Sequence, residues 1–281
     1  MTTCRAITSL SLALAVSMMA TLIAAGCGKS ESGSGGGGKN TLVVGTEPTF
    51  PPFESRDAKG EFVGFDVDLV KAIGEKAGYA VQFKDLGFDA LIPALQSGQI
   101  DMIAAGMSIT EERKNAVAFS DPYIEAGLAI AVRGNEQAVK GKGDLKGKTV
   151  AVQQGSTGAT AAEELKKEGG LANIKYYPTV PLAMMELTKG GADAVINDRP
   201  TSEAYVAQAG GGQIKVLPEL LKSDSYGLAM KKGNTELVTK VNAALAELKA
   251  QGRIEELEKK HFAASATATT APTTVPTAAA Q

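Results

Sequence analysis

The chain is organised around Ala104-Ala-Gly-Met-Ser-Ile-Thr-Glu-Glu-Arg-Lys-Asn-Ala-Val-Ala-Phe-Ser-Asp121, where an apolar strand runs into a turn and then into a helix. Thr110 is the predicted N-cap, and the two glutamates after it suit the positive end of a helix dipole. Arg113 lies within one turn of the free backbone N–H groups, a combination that suits a carboxylate or phosphate ligand. Taken alone, the segment favours a surface ion pair between Arg113 and Glu111 or Asp121.

Strand-like and helix-like segments alternate on both sides of this stretch. Before it, the sequence predicts strands at residues 41–45, 81–84 and 100–105 and helices at 66–77 and 89–97. After it, strands are predicted at 148–152 and 192–196, a turn at 153–158, and helices at 159–167, 184–189, 237–250 and 253–260. This alternation predicts parallel, doubly wound α/β sheets that are covered by helices on both faces.

The two halves share a short repeated pattern. Leu95-Gln-Ser-Gly-Gln-Ile-Asp101 and Leu187-Thr-Lys-Gly-Gly-Ala-Asp193 match at Leu, Gly and Asp, and the same offset sets Gly106 against Asp198. The match is short and supports two similar lobes without proving a duplication.

Two apolar strand-like segments, residues 127–133 and 226–231, flank the second half. If the C-terminal helices complete the first lobe, both segments cross between lobes and form the hinge. Ligands of open α/β sheets lie beyond the carboxyl ends of the strands, so two facing lobes would enclose a binding cleft.

The N-terminus is predicted to be a targeting signal. Arg5 precedes an apolar run over residues 7–25, and Leu22-Ile-Ala-Ala-Gly-Cys27 resembles a bacterial lipobox. We therefore expect a signal peptide over residues 1–26, lipidation of Cys27 and a flexible Gly/Ser-rich tether over 27–40. An uncleaved membrane helix or a plain secretory signal are the alternatives. The Ala/Thr/Pro-rich residues 263–281 are predicted to be a disordered tail.

Composition excludes several classes of function. The mature chain loses only Arg5 among its charged residues, so its net charge is 28 − 31 = −3, which does not favour nucleic acid. With one histidine and no thiol beyond Cys27, the sequence favours neither a metal site nor a nucleophilic enzyme. Gly155-Ser-Thr-Gly158 lacks the lysine of a phosphate loop, and His261 is expected at a solvated helix end. No cofactor and no catalytic residue are predicted.

Six motifs in order resemble one family. They are Val43-Val-Gly-Thr-Glu-Pro-Thr-Phe-Pro-Pro-Phe53, Gly64-Phe-Asp-Val-Asp68, Phe88-Asp-Ala-Leu-Ile-Pro-Ala-Leu95, Ser108-Ile-Thr-Glu-Glu-Arg113, Phe119-Ser-Asp-Pro-Tyr123 and Asp193-Ala-Val-Ile-Asn-Asp198. Together they resemble the polar amino acid-binding proteins of ABC importers, family 3 of the bacterial extracellular solute-binding proteins. The resemblance implies a type II periplasmic-binding-protein fold, with lobe 1 over residues 41–128 and 228–262 and lobe 2 over 129–227.

The resemblance also implies roles for individual residues. Arg113 matches the arginine that takes the ligand's α-carboxylate, and Thr157 joins that grip from lobe 2. Gly106 and Ser108 match positions that contact the amino and carboxylate groups. Asp198 matches the carboxylate that pairs with the α-ammonium. A dry cleft must pair both charges of a zwitterion, because an unpaired buried charge is costly.

Glu47, Phe50, Phe88 and Gln153 are expected to form the side-chain pocket. Glutamine-preferring relatives have a lysine where this chain has Gln153, so Glu47 between two aromatic rings favours a cationic side chain. We therefore expect an arginine or lysine ligand, with glutamine or another polar amino acid as the alternative. A surface glutamate and two core phenylalanines are the simpler interpretation of the same residues.

The expected partners are the amino acid, an ABC permease and its ATPase, and the membrane through the lipid anchor. We expect an extracytoplasmic monomer that is not an enzyme. A dehydratase acting on a cyclohexadienyl carboxylate shares the fold and is the alternative from another class, with Glu47 as its candidate acid or base. A sensor domain would need a following transmembrane helix, which is not expected after Phe262.

Overall fold

The computed structural model describes residues 40–209 and 212–269. Its strands are β1 (Asn40–Thr46), β2 (Ser55–Arg56), β3 (Phe62–Val63), β4 (Tyr79–Asp85), β5 (Met102–Ile103), β6 (Val117–Phe119), β7 (Ile124–Arg133), β8 (Lys148–Gln153), β9 (Leu171–Tyr177), β10 (Ala194–Asp198), β11 (Ile214–Tyr226) and β12 (Ala229–Lys231). Its helices are α1 (Phe65–Ala77), α2 (Phe88–Ser97), α3 (Glu111–Ala116), α4 (Thr157–Lys167), α5 (Val180–Thr188), α6 (Arg199–Ala209), α7 (Thr235–Ala250) and α8 (Arg253–Thr269), with a 3-10 turn at Lys142–Leu145.

Two five-stranded sheets carry the described chain. The first has the order β4-β1-β5-β12-β6 and the second β11-β7-β10-β8-β9, while β2 and β3 form a separate hairpin. Strand β1 is parallel to β4 and β5, and β8 is parallel to β9 and β10. The strands next to the crossings, β7, β11 and β12, pair in antiparallel directions. The prediction of parallel sheets is thus right for three strands of each sheet and wrong for the strands near the crossings.

Helices cover both faces of each sheet, as predicted. In lobe 1, Met102 belongs to the core shared with α1 and α7, and the next residue, Ile103, belongs to the core shared with α2. In lobe 2, Val150 packs with α4 and Ala151 with α5. Successive residues of a strand point to opposite faces, so these pairs are buried on both sides. Continuous apolar strands result, with their carboxyl ends directed to one edge.

The repeated motif has the same structure in both lobes. Val43 donates its backbone N–H to the Asp101 carboxylate at 2.8 Å, and Thr149 donates in the same way to Asp193 at 2.8 Å. The amides of both aspartates return the bond to the carbonyls of Val43 and Thr149. Gly98 and Gly190, which are aligned in the two motifs, both have a φ angle of 79°, a left-handed conformation that favours glycine. The repeat therefore marks two lobes built alike.

The chain passes between the sheets twice. The first crossing lies between Phe119 and Ile124, and the second between Tyr226 and Ala229. Residues 127–133, predicted as a crossing strand, are instead paired within the second sheet throughout, because β7 runs beside β11 from its first residue. The Tyr123 amide donates to the Tyr226 carbonyl at 3.0 Å, so the two crossings are bonded to each other.

The C-terminal helix is longer than predicted. We placed its end at residue 260 and a disordered tail from 263, but α8 continues to Thr269. The added residues are mainly alanine and threonine, and the alanines favour continuation of a helix. Residues 270–281, and the predicted signal, Cys27 and tether up to residue 39, lie outside the described residues. Among the helices described, none has the length and apolar character to span a bilayer.

Candidate ligand-binding cleft

The junction between β5 and α3 turns Arg113 inwards. The Thr110 side chain accepts a hydrogen bond from the Arg113 amide at 3.1 Å, which confirms Thr110 as the N-cap. The guanidinium donates to the Ser108 carbonyl at 2.9 Å through Nη1 and to the Gly155 carbonyl at 3.2 Å through Nη2. Glu111 pairs with Lys114 at 2.7 Å instead. The surface ion pair favoured by the segment alone is therefore wrong.

A small cavity lies between the lobes beside Arg113. Eight of the nine predicted site residues line it: Phe50, Phe88, Gly106, Ser108, Arg113, Gln153, Thr157 and Asp198. Sequence reasoning missed Ser156, which also lines the cavity. Its signal was readable, because a serine directly before a helical run is a common N-cap, and Ser156 accepts from the Ala159 amide at 3.1 Å.

The predicted turn at 153–158 is shorter than expected, because α4 begins at Thr157. A Cβ on Gly158 would stand 2.5 Å from the Ile196 carbonyl oxygen, so only glycine lets the helix start this close to β10. The free amides of the first turn of α4 therefore lie at the edge of the cavity. Such amides, with the Ser156 and Thr157 hydroxyls, suit an anionic group.

Asp198 ends β10 at the cavity and is 6% exposed. Its Oδ1 atom has no hydrogen-bond partner among the described residues. Burial raises the pKa of Asp198 to about 6, while Tyr226 and Arg113 lower it and Asp224 raises it. Asp198 is therefore an ionised carboxylate at neutral pH, and a cationic group would satisfy it.

Gly106 forms a wall of the cavity and lies against the ring of Phe50. It has φ 51°, and a Cβ would stand 2.8 Å from the Phe50 ring, so the position requires glycine. Its amide donates to Asp66 Oδ2 at 2.9 Å, an atom that also accepts from the Tyr123 hydroxyl at 2.8 Å. Burial raises the pKa of Asp66 to about 6. The wall is thus fixed by an ionised carboxylate behind it.

Glu47, the ninth predicted residue, joins the lobes next to the cavity. It is 4% exposed; Oε1 accepts from the Thr49 hydroxyl at 2.6 Å, and Oε2 accepts from Gln153 Nε2 at 3.2 Å. Burial raises its pKa, and the bonds from Thr49 and Gln153 lower it. Gln153 also donates to the Pro178 carbonyl at 3.2 Å. The interpretation of Glu47 as a surface residue is therefore wrong.

The two aromatic residues differ in their surroundings. Phe50 is buried and stacks on Phe53, with ring centroids 5.9 Å apart. Phe88 is half-buried, and the Arg113 guanidinium lies 5.4 Å from its ring centroid. Both rings face the cavity as well as packing on neighbours. His261, which we expected at a solvated helix end, is half-buried and lies 2.8 Å from Asp68.

The protein has two α/β lobes of similar build. The chain passes between them twice, and they face each other over a small polar cavity. This arrangement defines a solute-binding protein of the periplasmic-binding type. The sequence profile of the bacterial extracellular solute-binding proteins, family 3, matches residues 42–264, and the chain belongs to that family. The family and the fold predicted from the motifs are confirmed.

Individual relatives support this assignment. The histidine-binding periplasmic protein of Salmonella typhimurium is 36% identical over 225 residues, which are 78% of this chain and 86% of the relative. An ancestral arginine-binding protein solved with arginine is 47% identical with a TM-score of 0.76, over 79% of this chain and 98% of that one. AncCDT-1, an ancestral amino acid-binding precursor of cyclohexadienyl dehydratase, is 37% identical with a TM-score of 0.73, over 79% and 96%.

Proposed function

We propose that this protein captures a basic L-amino acid, arginine or lysine, and delivers it to the permease of an ABC importer. The charge arrangement around the cavity carries the proposal. Arg113 offers a cation for the α-carboxylate, and Asp198 has an oxygen without a partner for the α-ammonium. Glu47 leaves one further negative charge next to the cavity. A ligand with two positive charges and one negative charge balances this set.

The names of relatives point in the same direction. Two of the three relatives compared above are a histidine-binding and an arginine-binding protein, and the third is described as an amino acid-binding protein. Glutamine is the second candidate, because the Gln153 and Glu47 side chains could also bond an amide. The surplus negative charge favours the basic ligand, since a neutral side chain would leave a buried Glu47 without a cation.

The lobes are proposed to close on the ligand about the two crossings at residues 120–123 and 227–228. Four hydrogen bonds join the two lobes and support this proposal: Glu47 with Gln153, Arg113 with Gly155, Asp89 with Gln154 at 3.0 Å, and Thr49 with Tyr205 at 2.8 Å. Opening would break all four. Small-angle scattering should therefore show a more compact envelope with arginine than without it, and an unchanged envelope would contradict the hinge.

Outside the described residues, we propose that cleavage after Gly26 and acylation of Cys27 anchor an extracytoplasmic monomer to the membrane. Relatives of the family are periplasmic or extracellular proteins, which is consistent with that location. Cys27→Ala should release the protein from the membrane fraction.

The test of the proposed function is a calorimetric screen of the twenty amino acids on protein that has been unfolded and refolded to remove carried-over ligand. Arginine or lysine should bind most tightly and give the largest rise in melting temperature. Tighter binding of a neutral amino acid would refute the basic ligand, and no binding at all would refute the amino acid. Incubation with prephenate and arogenate should leave both unchanged; turnover would instead support the dehydratase alternative.

A further inference from the structure

Tyr226 is a fully buried residue beside the ligand cavity, and the site described above gives its hydroxyl no role. It ends β11 at the second crossing and is 0% exposed. Its hydroxyl has no hydrogen-bond partner among the described residues. A buried hydroxyl without a partner is costly, so its position calls for an explanation.

The strand register brings Tyr226 and Asp198 to the same face of the second sheet. Asp198 pairs with Leu128 of β7 from one side, and Tyr226 pairs with Ile124 of β7 from the other. Paired residues share a face, and so do residues four apart along one strand. Both side chains therefore project from one face, on either side of β7.

The Tyr226 ring lies against the wall of the cavity. A Cβ on Gly106 would stand 3.2 Å from Tyr226 Cε2, and the backbone of Ser108 pairs with that of Tyr226 in an isolated bridge. Gly106, Ser108 and Asp198 all line the cavity. The hydroxyl thus lies beside a site whose own carboxylate atom, Asp198 Oδ1, also lacks a partner.

We propose, resting on the function proposed above, that Tyr226 is a positioning residue: its hydroxyl donates a hydrogen bond to the Asp198 carboxylate and holds it ready for the ligand ammonium. One bond would satisfy both buried groups. A hydrogen bond to a charged acceptor is stronger than one between neutral groups, so the pair favours the ionised form of Asp198.

The charged surroundings of Asp198 agree with this role. Burial raises the pKa of Asp198 to about 6. Tyr226 lowers this pKa most strongly, Asp224 raises it further, and Arg113 lowers it by less than Asp224 raises it. The same contact, after burial, raises the pKa of Tyr226 well above its usual range, so the phenol keeps its proton. The titratable groups around Asp198 are therefore one donor, Tyr226, one cation, Arg113, and two acids, Asp224 and Glu54.

Packing alone is the competing explanation for Tyr226. Its ring contacts Phe53 with centroids 5.0 Å apart and Tyr123 with centroids 6.4 Å apart. A purely packing role would be met equally by phenylalanine. Tyr226→Phe therefore separates the two explanations, because it keeps the ring and removes only the donor.

The test is a carbon-13 NMR titration of the aspartate carboxyl groups in the full chain without added amino acid. In Tyr226→Phe the Asp198 midpoint should move upwards from about 6. Tyr123→Phe is the matched control, because that buried hydroxyl donates to Asp66 at 2.8 Å. The control should shift Asp66 and leave the Asp198 midpoint in place. An Asp198 midpoint that is the same in Tyr226→Phe and wild type would overturn the proposal.

Binding supplies a second measurement. An upward shift of one pH unit corresponds to a tenfold loss of affinity for the amino acid below the midpoint. In an Asp198→Asn background, Tyr226→Phe should change the affinity far less than in wild type, since the group it acts through is gone. Equal losses in both backgrounds would also overturn the proposal. The titration needs no ligand, so a failed amino acid screen would refute the proposed function and leave this test intact.

Discussion

Replacing Glu47 with glutamine removes one charge next to the cavity and keeps the shape of the side chain. Glu47 is 4% exposed and holds bonds of 2.6 Å from Thr49 and 3.2 Å from Gln153. Both neighbours donate to it, so the amide group of the variant must place a donor against one of them. We expect a modest loss of stability and a larger loss of affinity for cationic ligands.

The size of the affinity loss follows from the burial of the carboxylate. Two opposite charges about 4 Å apart attract each other by about 4 kcal/mol at an effective dielectric constant of about 20. Desolvation offsets part of this attraction, and a hydrogen bond to a charged group contributes about 1.5–3 kcal/mol net. Arginine should therefore bind roughly 10- to 150-fold more weakly to Glu47→Gln than to wild type. Citrulline has the same length with a neutral urea group, and should lose about tenfold at most.

Isothermal titration calorimetry measures the affinity of each protein for arginine and for citrulline. The critical quantity is the ratio of the arginine affinity to the citrulline affinity. That ratio should fall by about tenfold in Glu47→Gln. Glu61→Gln is the matched control, since Glu61 is exposed in the same lobe and its variant should bind both ligands as wild type does. Equal losses for arginine and citrulline would refute the assignment of Glu47 to the side-chain pocket.

Three further predictions concern the other charged groups. Arg113→Ala should weaken binding of every amino acid by at least about 100-fold, because each ligand has the same α-carboxylate, and calorimetry showing a loss confined to basic ligands would contradict this. Arginine affinity should fall about tenfold per pH unit below about pH 6, as Asp198, whose pKa is about 6, takes up a proton and loses its charge; a flat profile between pH 7 and 5 would disprove it. Glu54 is fully buried without hydrogen-bond partners for its carboxyl oxygens among the described residues, and burial, reinforced by Asp66, raises its pKa well above 4.5. The folded protein then keeps a proton that the unfolded chain loses, so Glu54 makes stability fall as pH rises above about 4.5, by up to about 1.4 kcal/mol per pH unit. Urea unfolding of Glu54→Gln should show a flatter dependence on pH, and an unchanged slope would show that Glu54 is ionised when folded.

The sequence was sufficient to place those helices and strands whose local pattern agrees with their burial. The apolar strands and the helices with glycine at their ends were placed within a few residues, because periodicity and helix caps are local signals. β11 was missed for a physical reason. It contains Pro218 and several charged residues, and its pairing with β7 shifts register between Val216 and Leu220. A strand at a sheet edge tolerates proline and charge, so its pattern does not resemble that of a buried strand.

The orientation of site residues depended on contacts that no local pattern contains. The segment around Arg113 predicts a surface ion pair, but the guanidinium instead donates a hydrogen bond across the cleft to the Gly155 carbonyl of the other lobe. At Tyr226 the sequence predicts only a strand that crosses between the lobes, although the ring of this residue lies against the cavity wall at Gly106. The family motifs predicted most residues that line the cavity, because a family resemblance includes contacts between distant parts of the chain. They did not name Ser156, whose helix cap is readable from sequence alone.

The repeat suggests how one scaffold came to hold a ligand with both charges. The alignment that equates the two lobes sets Gly106 against Asp198. Gly106 lies just beyond the carboxyl end of β5 and Asp198 ends β10, and these are the middle strands of the two five-stranded sheets. Lobe 1 then adds Arg113 beyond Gly106, while lobe 2 keeps the acid itself. Under the proposed function, equivalent ends of the two lobes would then meet the groups that every amino acid carries. Glu47 lies in the loop after β1 and Gln153 at the end of β8, so their replacement could change the ligand while the strand ends still hold its common part.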